Sequence, residues 1–155
     1  MSANKQVIID ANVVIHGRGD LPYSKMLIPQ KVYEEVKSDL SKLKLDSLGL
    51  NVLIPGKDVL DIVEEKKREI NADVSEPDCS VAALGLERSA KVITDDKELQ
   101  NLCWHLGVDF DSFLGEKISK KREFKILCDN CGYSLESMED VCSRCGSTEA
   151  NRKPI

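Results

Sequence analysis

The chain has 155 residues, 41% of them hydrophobic and 32% charged, with a formal net charge of −5. That profile belongs to an ordinary globular protein with room for one full domain and a small appendage. No apolar run approaches the roughly 18 residues a transmembrane helix needs, and MSANKQ followed by a short VII stretch has no secretory h-region, so a cytoplasmic location with reduced cysteines is expected.

The first apolar run, Gln6 to Asp10, reads as a strand that ends on an aspartate, and a short helix follows from Asn12. Met26 to Ile28 is a strand stub, and a helix is expected from Pro29 to about Leu43. On that helix Val32, Val36, Leu40 and Leu43 fall within about 80° of one another and define the buried face. Glu35 lies at the border of this stripe, where it can reach a cleft between helix and sheet; Glu34 points nearly opposite, to water. A strand at Asn51 to Ile54 and a helix from Asp58 to about Ile70 come next.

Ser75-Glu-Pro-Asp78 opens the next helix, expected from Glu76 to about Arg88. Its sequence CSVAALGLE is apolar around the circumference and must be largely buried. Two readings of Asp78 stand side by side. The carboxylate either projects into a site, with Val81, Ala82 and Gly85 as small neighbours that leave space for a ligand, or completes a capping box with proline in the first turn. The strand Lys91 to Thr94 then runs into Asp95 and Asp96, and a helix from Asp96 to His105 is stopped by Gly107. Asp95 to Glu98 has capping-box spacing, so Asp95 is assigned to capping and Asp96 to metal, although the two can be exchanged. A last strand spans Val108 to Phe113. This alternation of strand and helix with short connections implies a parallel sheet covered by helices on both faces.

Two of these strands end in acid. In open parallel sheets ligands sit at the carboxyl ends of strands, so Asp10 and Asp96 can meet although far apart in sequence. Clustered carboxylates repel unless a cation lies between them, and a hard divalent ion such as Mg²⁺ or Mn²⁺ takes oxygen ligands.

The end of the chain has a different character. Residues 1–116 carry a net −7 and residues 117–155 a net +2. Lys117, Lys120, Lys121, Arg122 and Lys125 form a stripe suited to phosphates, or a solvated linker. Arg144, Arg152 and Lys153 add to the positive charge. Cys128-Asp-Asn-Cys131 and Cys142-Ser-Arg-Cys145 are each followed by a glycine, Gly132 and Gly146. This spacing lets two thiolates of one turn grip one face of a tetrahedral ion, and two such knuckles complete a closed structural zinc site. The alternative is two disulfides, which a reducing compartment disfavours. Cys79 and Cys103, alone among apolar neighbours, read as core thiols. Trp104 is assigned to the core, and Tyr133 either stacks on a base or covers the zinc loop. The divisions are an α/β domain over 1–116, a basic linker over 117–125, a zinc ribbon over 126–150 and a short tail over 151–155.

VIIDAN, then Val-Tyr-Glu-Glu35-Val, then Asp78 opening an Ala/Leu-rich helix, then VITDD resembles the PIN-domain ribonucleases. With the zinc ribbon, residues from about 5 to 150 look like the archaeal endonucleases that mature the 3′ end of small-subunit (16S) ribosomal RNA. Ala11 departs from the pattern, since many members carry a hydroxyl residue after the first aspartate. The resemblance implies an α/β PIN-like fold and a metal-dependent endoribonuclease. Asp10, Glu35, Asp78 and Asp96 would hold one or two Mg²⁺ or Mn²⁺ ions, supported by Asn12 and Thr94, and hydrolysis would leave a 5′-phosphate and a 3′-hydroxyl. The partners it implies are precursor rRNA, the small ribosomal subunit and a KH-domain assembly factor. A non-catalytic zinc-ribbon RNA-binding assembly factor is the alternative, but it would not need four converging acids. A haloacid-dehalogenase-type phosphohydrolase would want an acid where Asn12 stands.

Overall fold

Short apolar runs alternate with helices along the chain, and a computed structural model describes residues 6–16, 21–37 and 46–155 of it. The strands are β1 (Val7–Ile9), β2 (Met26–Pro29), β3 (Asn51–Leu53), β4 (Lys91–Ile93) and β5 (Phe110–Asp111), and they form one sheet of order β3-β2-β1-β4-β5. Every pairing is parallel, with Ile8 of β1 opposite Leu27 on one side and Val92 on the other. A central strand paired on both edges must be apolar on both faces, and Ile8 and Ile9 are fully buried. From β1 the chain winds outward to β2 and β3, then jumps back to β4. The switch point therefore falls between β1 and β4, where a crevice opens at the carboxyl ends of the strands.

The helices are α1 (Ala11–His16), α2 (Gln30–Val36), α3 (Lys57–Ile70), α4 (Glu76–Arg88) and α5 (Lys97–Leu106). The expected continuation of α2 to Leu43, with Leu40, lies outside the described residues. α4 has the expected bounds and buries seven consecutive residues, Cys79 to Gly85. It packs on β1, β2 and β4 and touches α2, α3 and α5. A Cβ at Gly85 would come within 2.8 Å of Val108 and 2.9 Å of Val92, so glycine lets the helix lie directly on the sheet. On the same face Val81 and Ala82 are fully buried. Gly107 ends α5 in the left-handed conformation, at φ 74°, as the sequence indicated. β5 is shorter than expected, two residues in place of Val108 to Phe113.

A second, antiparallel sheet of order β7-β6-β8 is built from β6 (Phe124–Cys128), β7 (Ser134–Leu135) and β8 (Ala150–Pro154). β6 begins inside the segment read as a linker. β8 runs through the segment read as a tail, pairing Phe124 with Pro154 and Lys125 with Lys153.

Arg152 of β8 bonds this sheet to the helical layer. Its guanidinium lies 4.0 Å from the centre of the Phe124 ring. Nε donates to the Asn71 carbonyl at 2.8 Å and Nη2 to Glu98 Oε1 at 3.0 Å, while Asn71 Nδ2 donates to the Phe124 carbonyl at 2.7 Å. Arg152, read as a possible RNA contact, spends its charge within the molecule. Among the described residues no helix is long and apolar enough to cross a membrane.

Candidate active site and metal centres

Asp10 follows β1 directly and is only 4% exposed. Its Oδ1 accepts from the Val13 amide at 3.3 Å, and its Oδ2 accepts from the Thr94 hydroxyl, at the end of the neighbouring β4. The same Thr94 oxygen accepts from the Asp96 amide at 3.1 Å. One buried hydroxyl, donating one way and accepting the other, thus ties the two strand ends together. Burial pushes the Asp10 carboxyl up; bonds from Thr94, Val13 and the Asn12 amide pull it down, the Asp96 charge pushes it up again, and the result lies above the ordinary value.

Asp78 sits in the first turn of α4. The Ser75 hydroxyl caps the Asp78 amide at 3.3 Å, and the Asp78 carboxylate lies in the field of the other acids. Burial is the largest cause, the Asp96 charge the next, and the charges of Asp10 and Glu35 add to them. Against a lowering bond to Ser75, the carboxyl is pushed up to about 6. Glu35 is exposed on α2 with its charge in reach of Asp78. Its neighbour Glu34 pairs with Lys37 at 2.6 Å. Asn12 is exposed at the start of α1, beside Asp10. The four acids named from sequence therefore lie within one another's electrostatic field through a chain of pairs: Asp10 with Asp96, and Asp78 with Asp96, Asp10 and Glu35.

The donor set is all oxygen, partly buried and self-repelling, which fits a hard divalent cation. It is also open. Among the described residues, the group of potential metal ligands whose atoms all close to within 4.8 Å of one another is the cysteine quartet, not the acids. An open carboxylate cluster suits Mg²⁺, which keeps several waters and shares its shell with substrate phosphate.

The roles of Asp95 and Asp96 differ from expectation. Asp96, not Asp95, is the N-cap of α5, accepting the Glu98 amide at 2.9 Å and the Leu99 amide at 3.4 Å. Asp95 accepts the amides of Phe113 at 2.8 Å, Leu114 at 3.0 Å and Gly115 at 3.0 Å, and so clamps the chain after β5. Burial pushes Asp95 up, but the amides of Gly115, Leu114 and Phe113, with Lys97, hold it below the ordinary value. Glu98, which a capping box would turn back to the cap, accepts instead from the Asp73 amide and from Arg152, both at 3.0 Å.

Two buried amides were missed in the sequence. Gln100, fully buried, donates from Nε2 to the Thr94 carbonyl at 2.7 Å and accepts from the Ile118 amide at 3.0 Å. Asn101 holds both backbone groups of Arg122, donating to its carbonyl at 2.9 Å and accepting from its amide at 2.8 Å. His105 Nε2 lies 2.9 Å from the same carbonyl. Buried polar side chains require partners, so Gln100 and Asn101 beside Leu99, Leu102 and Cys103 were the available signal. The segment read as a linker is fastened to α5 at two residues. Lys117, Lys120, Lys121, Arg122, Lys125 and Arg144 all have exposed side chains.

The four knuckle cysteines come together as the spacing implied. Cys128 Sγ lies 3.5 Å from Cys145 Sγ, and Cys131 Sγ lies 3.7 Å from Cys142 Sγ. Gly132 and Gly146 take φ of 79° and 80°, which turns each knuckle back so that their amides reach Cys128 and Cys142 carbonyls at 2.9 and 2.8 Å. The Asn130 side-chain amide, followed by the Ser147 backbone amide, brings Cys145 down to about 6, while Cys131, against a lowering bond to the Tyr133 amide, is pushed up to about 11 by burial and the neighbouring thiols. All six cysteines are free thiols. Four thiols this close could hold a tetrahedral, thiophilic ion. Cys79 and Cys103 are buried, and burial pushes Cys79 up to about 12.

No family model matches the chain. It is 32% identical over 151 residues to Endoribonuclease Nob1 of Pyrococcus abyssi, covering 92% of this chain and 90% of that protein. Endoribonuclease Nob1 of Methanocaldococcus jannaschii is 28% identical over 148 residues, 92% of this chain and 75% of that one. Ribonuclease VapC1 of Thermoplasma acidophilum is 27% identical over 143 residues, 90% of this chain and 74% of that one.

Proposed function

The chain belongs to the Nob1 endoribonuclease family, and from that premise we propose that it hydrolyses one phosphodiester of precursor small-subunit (16S) rRNA to generate the mature 3′ end. The observation that carries this reading is the Thr94 hydroxyl bridging Asp10 and the Asp96 amide at the switch point of the sheet, with Asp78 and Glu35 in the same field.

In this proposal Asp10, Asp78 and Asp96 hold one or two Mn²⁺ or Mg²⁺ ions, with Glu35 completing the acid set. A divalent cation there supplies positive charge against the phosphate oxygens and acidifies water near neutral pH. The residues of the chain do the rest. Thr94 and the Val13 amide fix the orientation of Asp10, the Glu98 and Leu99 amides fix one oxygen of Asp96, and Asn12 supplies a polar group beside the acids. Asp95 supports the site by holding residues 113–115. The products would be a 5′-phosphate and a 3′-hydroxyl.

Within the same reading, residues 1–116 form the nuclease domain and residues 126–150 a ribbon that takes one structural zinc on Cys128, Cys131, Cys142 and Cys145. Positive charge along the basic segment and at Arg144 draws the RNA backbone in, with the direct grip made by Lys120 and Arg122, which lets an acidic chain approach a polyanion. The partners are precursor rRNA, the small ribosomal subunit and a KH-domain assembly factor, all in the cytoplasm. Incubation with a precursor 16S rRNA fragment and Mn²⁺, followed by mapping of new ends, tests the proposal. A single cut at the mature 3′ end supports it, whereas binding without cleavage would indicate a non-catalytic assembly factor.

A further inference from the structure

A cavity of about 540 Å³ opens between α5 and the segment 116–124, and its walls carry the cations Lys97, Lys117, Lys120 and Arg122. Lys121 and Lys125, although in the same run of sequence, do not line it. Two acids are present, Glu98 and Glu116. The Glu98 carboxylate is already matched by Arg152 and the Asp73 amide, each at 3.0 Å, which leaves the cavity with a surplus of positive charge. The Lys117 ammonium lies over the ring of Phe110, which does not line the cavity, and Lys97 Nζ donates to the Glu116 carbonyl at 2.6 Å, so Lys120 and Arg122 are the cations left to meet a ligand. The Phe124 ring, which could otherwise stack on a base, is covered by Arg152 at 4.0 Å.

The wall is also preformed. Ile118 is bonded to Gln100, and Arg122 is bonded through both backbone groups to Asn101, so the backbone that carries the cations is fixed before anything binds. Preorganisation lowers the ordering cost of binding. The cavity starts immediately beside the acid site, since Lys97 follows Asp96 in sequence and Gln100 bonds the Thr94 carbonyl.

We propose that this cavity is a subsite for a backbone phosphate of the RNA strand, placed at a fixed distance from the acids, so that the seated phosphate sets which neighbouring phosphodiester reaches them. The inference rests on the endoribonuclease reading and deepens it. With the Phe124 ring of its wall covered, the subsite contacts phosphate and sugar, and it positions the strand without reading its sequence.

The test compares two double variants of the full, zinc-loaded chain that each remove two positive charges: Lys120→Ala with Arg122→Ala from the cavity, and Lys121→Ala with Lys125→Ala from outside it. Binding of a fluorescein-labelled single-stranded RNA is followed by anisotropy over a salt series, without added Mn²⁺ or Mg²⁺. The cavity pair is expected to weaken binding about tenfold and to flatten the salt slope by roughly two, while the outer pair changes affinity by about twofold or less. Equal losses would mean an undifferentiated basic stripe and overturn the proposal, as would no loss in either pair or a loss confined to the outer pair. If the cavity pair does not fold, by zinc content and circular dichroism, the single exposed change Lys120→Gln against Lys121→Gln makes the same comparison. Because cleavage is assayed separately, a wild-type chain that binds with this pattern but cuts no RNA would refute the catalytic reading and leave the subsite standing.

Discussion

The Thr94 hydroxyl donates to Asp10 Oδ2 across the junction of β1 and β4, and the same oxygen receives the Asp96 amide at 3.1 Å. A hydroxyl with both functions used holds two acids in a set relation that neither strand could impose alone. Replacing Thr94 with valine keeps the shape and removes the hydroxyl, leaving Asp10 and the Asp96 amide without their shared partner. Thr94→Val is expected to lower Mn²⁺-dependent cleavage by about 10- to 100-fold, the usual cost of losing a group that orients a metal ligand. Thr94→Ser should retain most of the activity. A valine variant as active as the wild type would show that the bridge has no part in the reaction.

Asp78 sets a pH dependence. Its carboxyl is pushed up to about 6 in the folded chain from an ordinary 3.8, so between these values the folded state keeps a proton that the unfolded state has lost. For this group stability therefore falls as pH rises through that window, and the penalty is complete above it. A cation among the acids relieves the penalty only where the carboxylate is ionised. Mn²⁺ should raise the Tm more at about pH 7 than at about pH 5, and Asp78→Asn should reduce that difference. Thermal unfolding with and without Mn²⁺ measures it; an equal gain at both pH values would contradict the coupling.

Gln100 joins the acid site to the basic segment, through the Thr94 carbonyl and the Ile118 amide. Gln100→Leu leaves both backbone groups without this partner and is expected to cost about 1–3 kcal/mol in stability. It should also free the segment around Lys120 and Lys121, read as faster cutting there by trypsin. Unchanged Tm and unchanged trypsin resistance would show that the bond is dispensable.

Removal of zinc should separate the cysteines into two classes. Cys128, Cys131, Cys142 and Cys145 become reactive to a thiol reagent when a chelator strips the metal, with a lower Tm. Cys79 and Cys103, buried in the core, should react only on unfolding. Disulfides within the quartet by mass spectrometry, or no change in reactivity with the chelator, would contradict a zinc site.

Much of this was legible in the sequence because the signals were local and apolar. β1 and β4 announce themselves as short β-branched runs, α4 as a serine-capped, proline-started apolar stretch, and the end of α5 as Gly107. The knuckles are legible because ligand spacing and the following glycines are set by the metal's own geometry. β8 was not legible: its residues, Ala150–Pro154, lack apolar alternation, and the strand exists because β6 offers it an edge. The roles of Asp95 and Asp96 were not separable, since adjacent acids at the same turn both satisfy capping spacing and only the backbone conformation at Asp96 decides between them. Gln100 and Asn101 escaped notice because their meaning lies in Ile118 and Arg122, partners far along the chain whose position only the fold fixes.

Whether Asp10, Glu35, Asp78 and Asp96 act around shared divalent metal is decided by Mn²⁺ titration of Asp10→Asn, with cleavage of a precursor 16S rRNA fragment measured on the same preparation. Tight Mn²⁺ binding and cleavage are expected to be lost together while affinity for the RNA stays at the wild-type level. A variant that binds Mn²⁺ and cuts as the wild type does would contradict it.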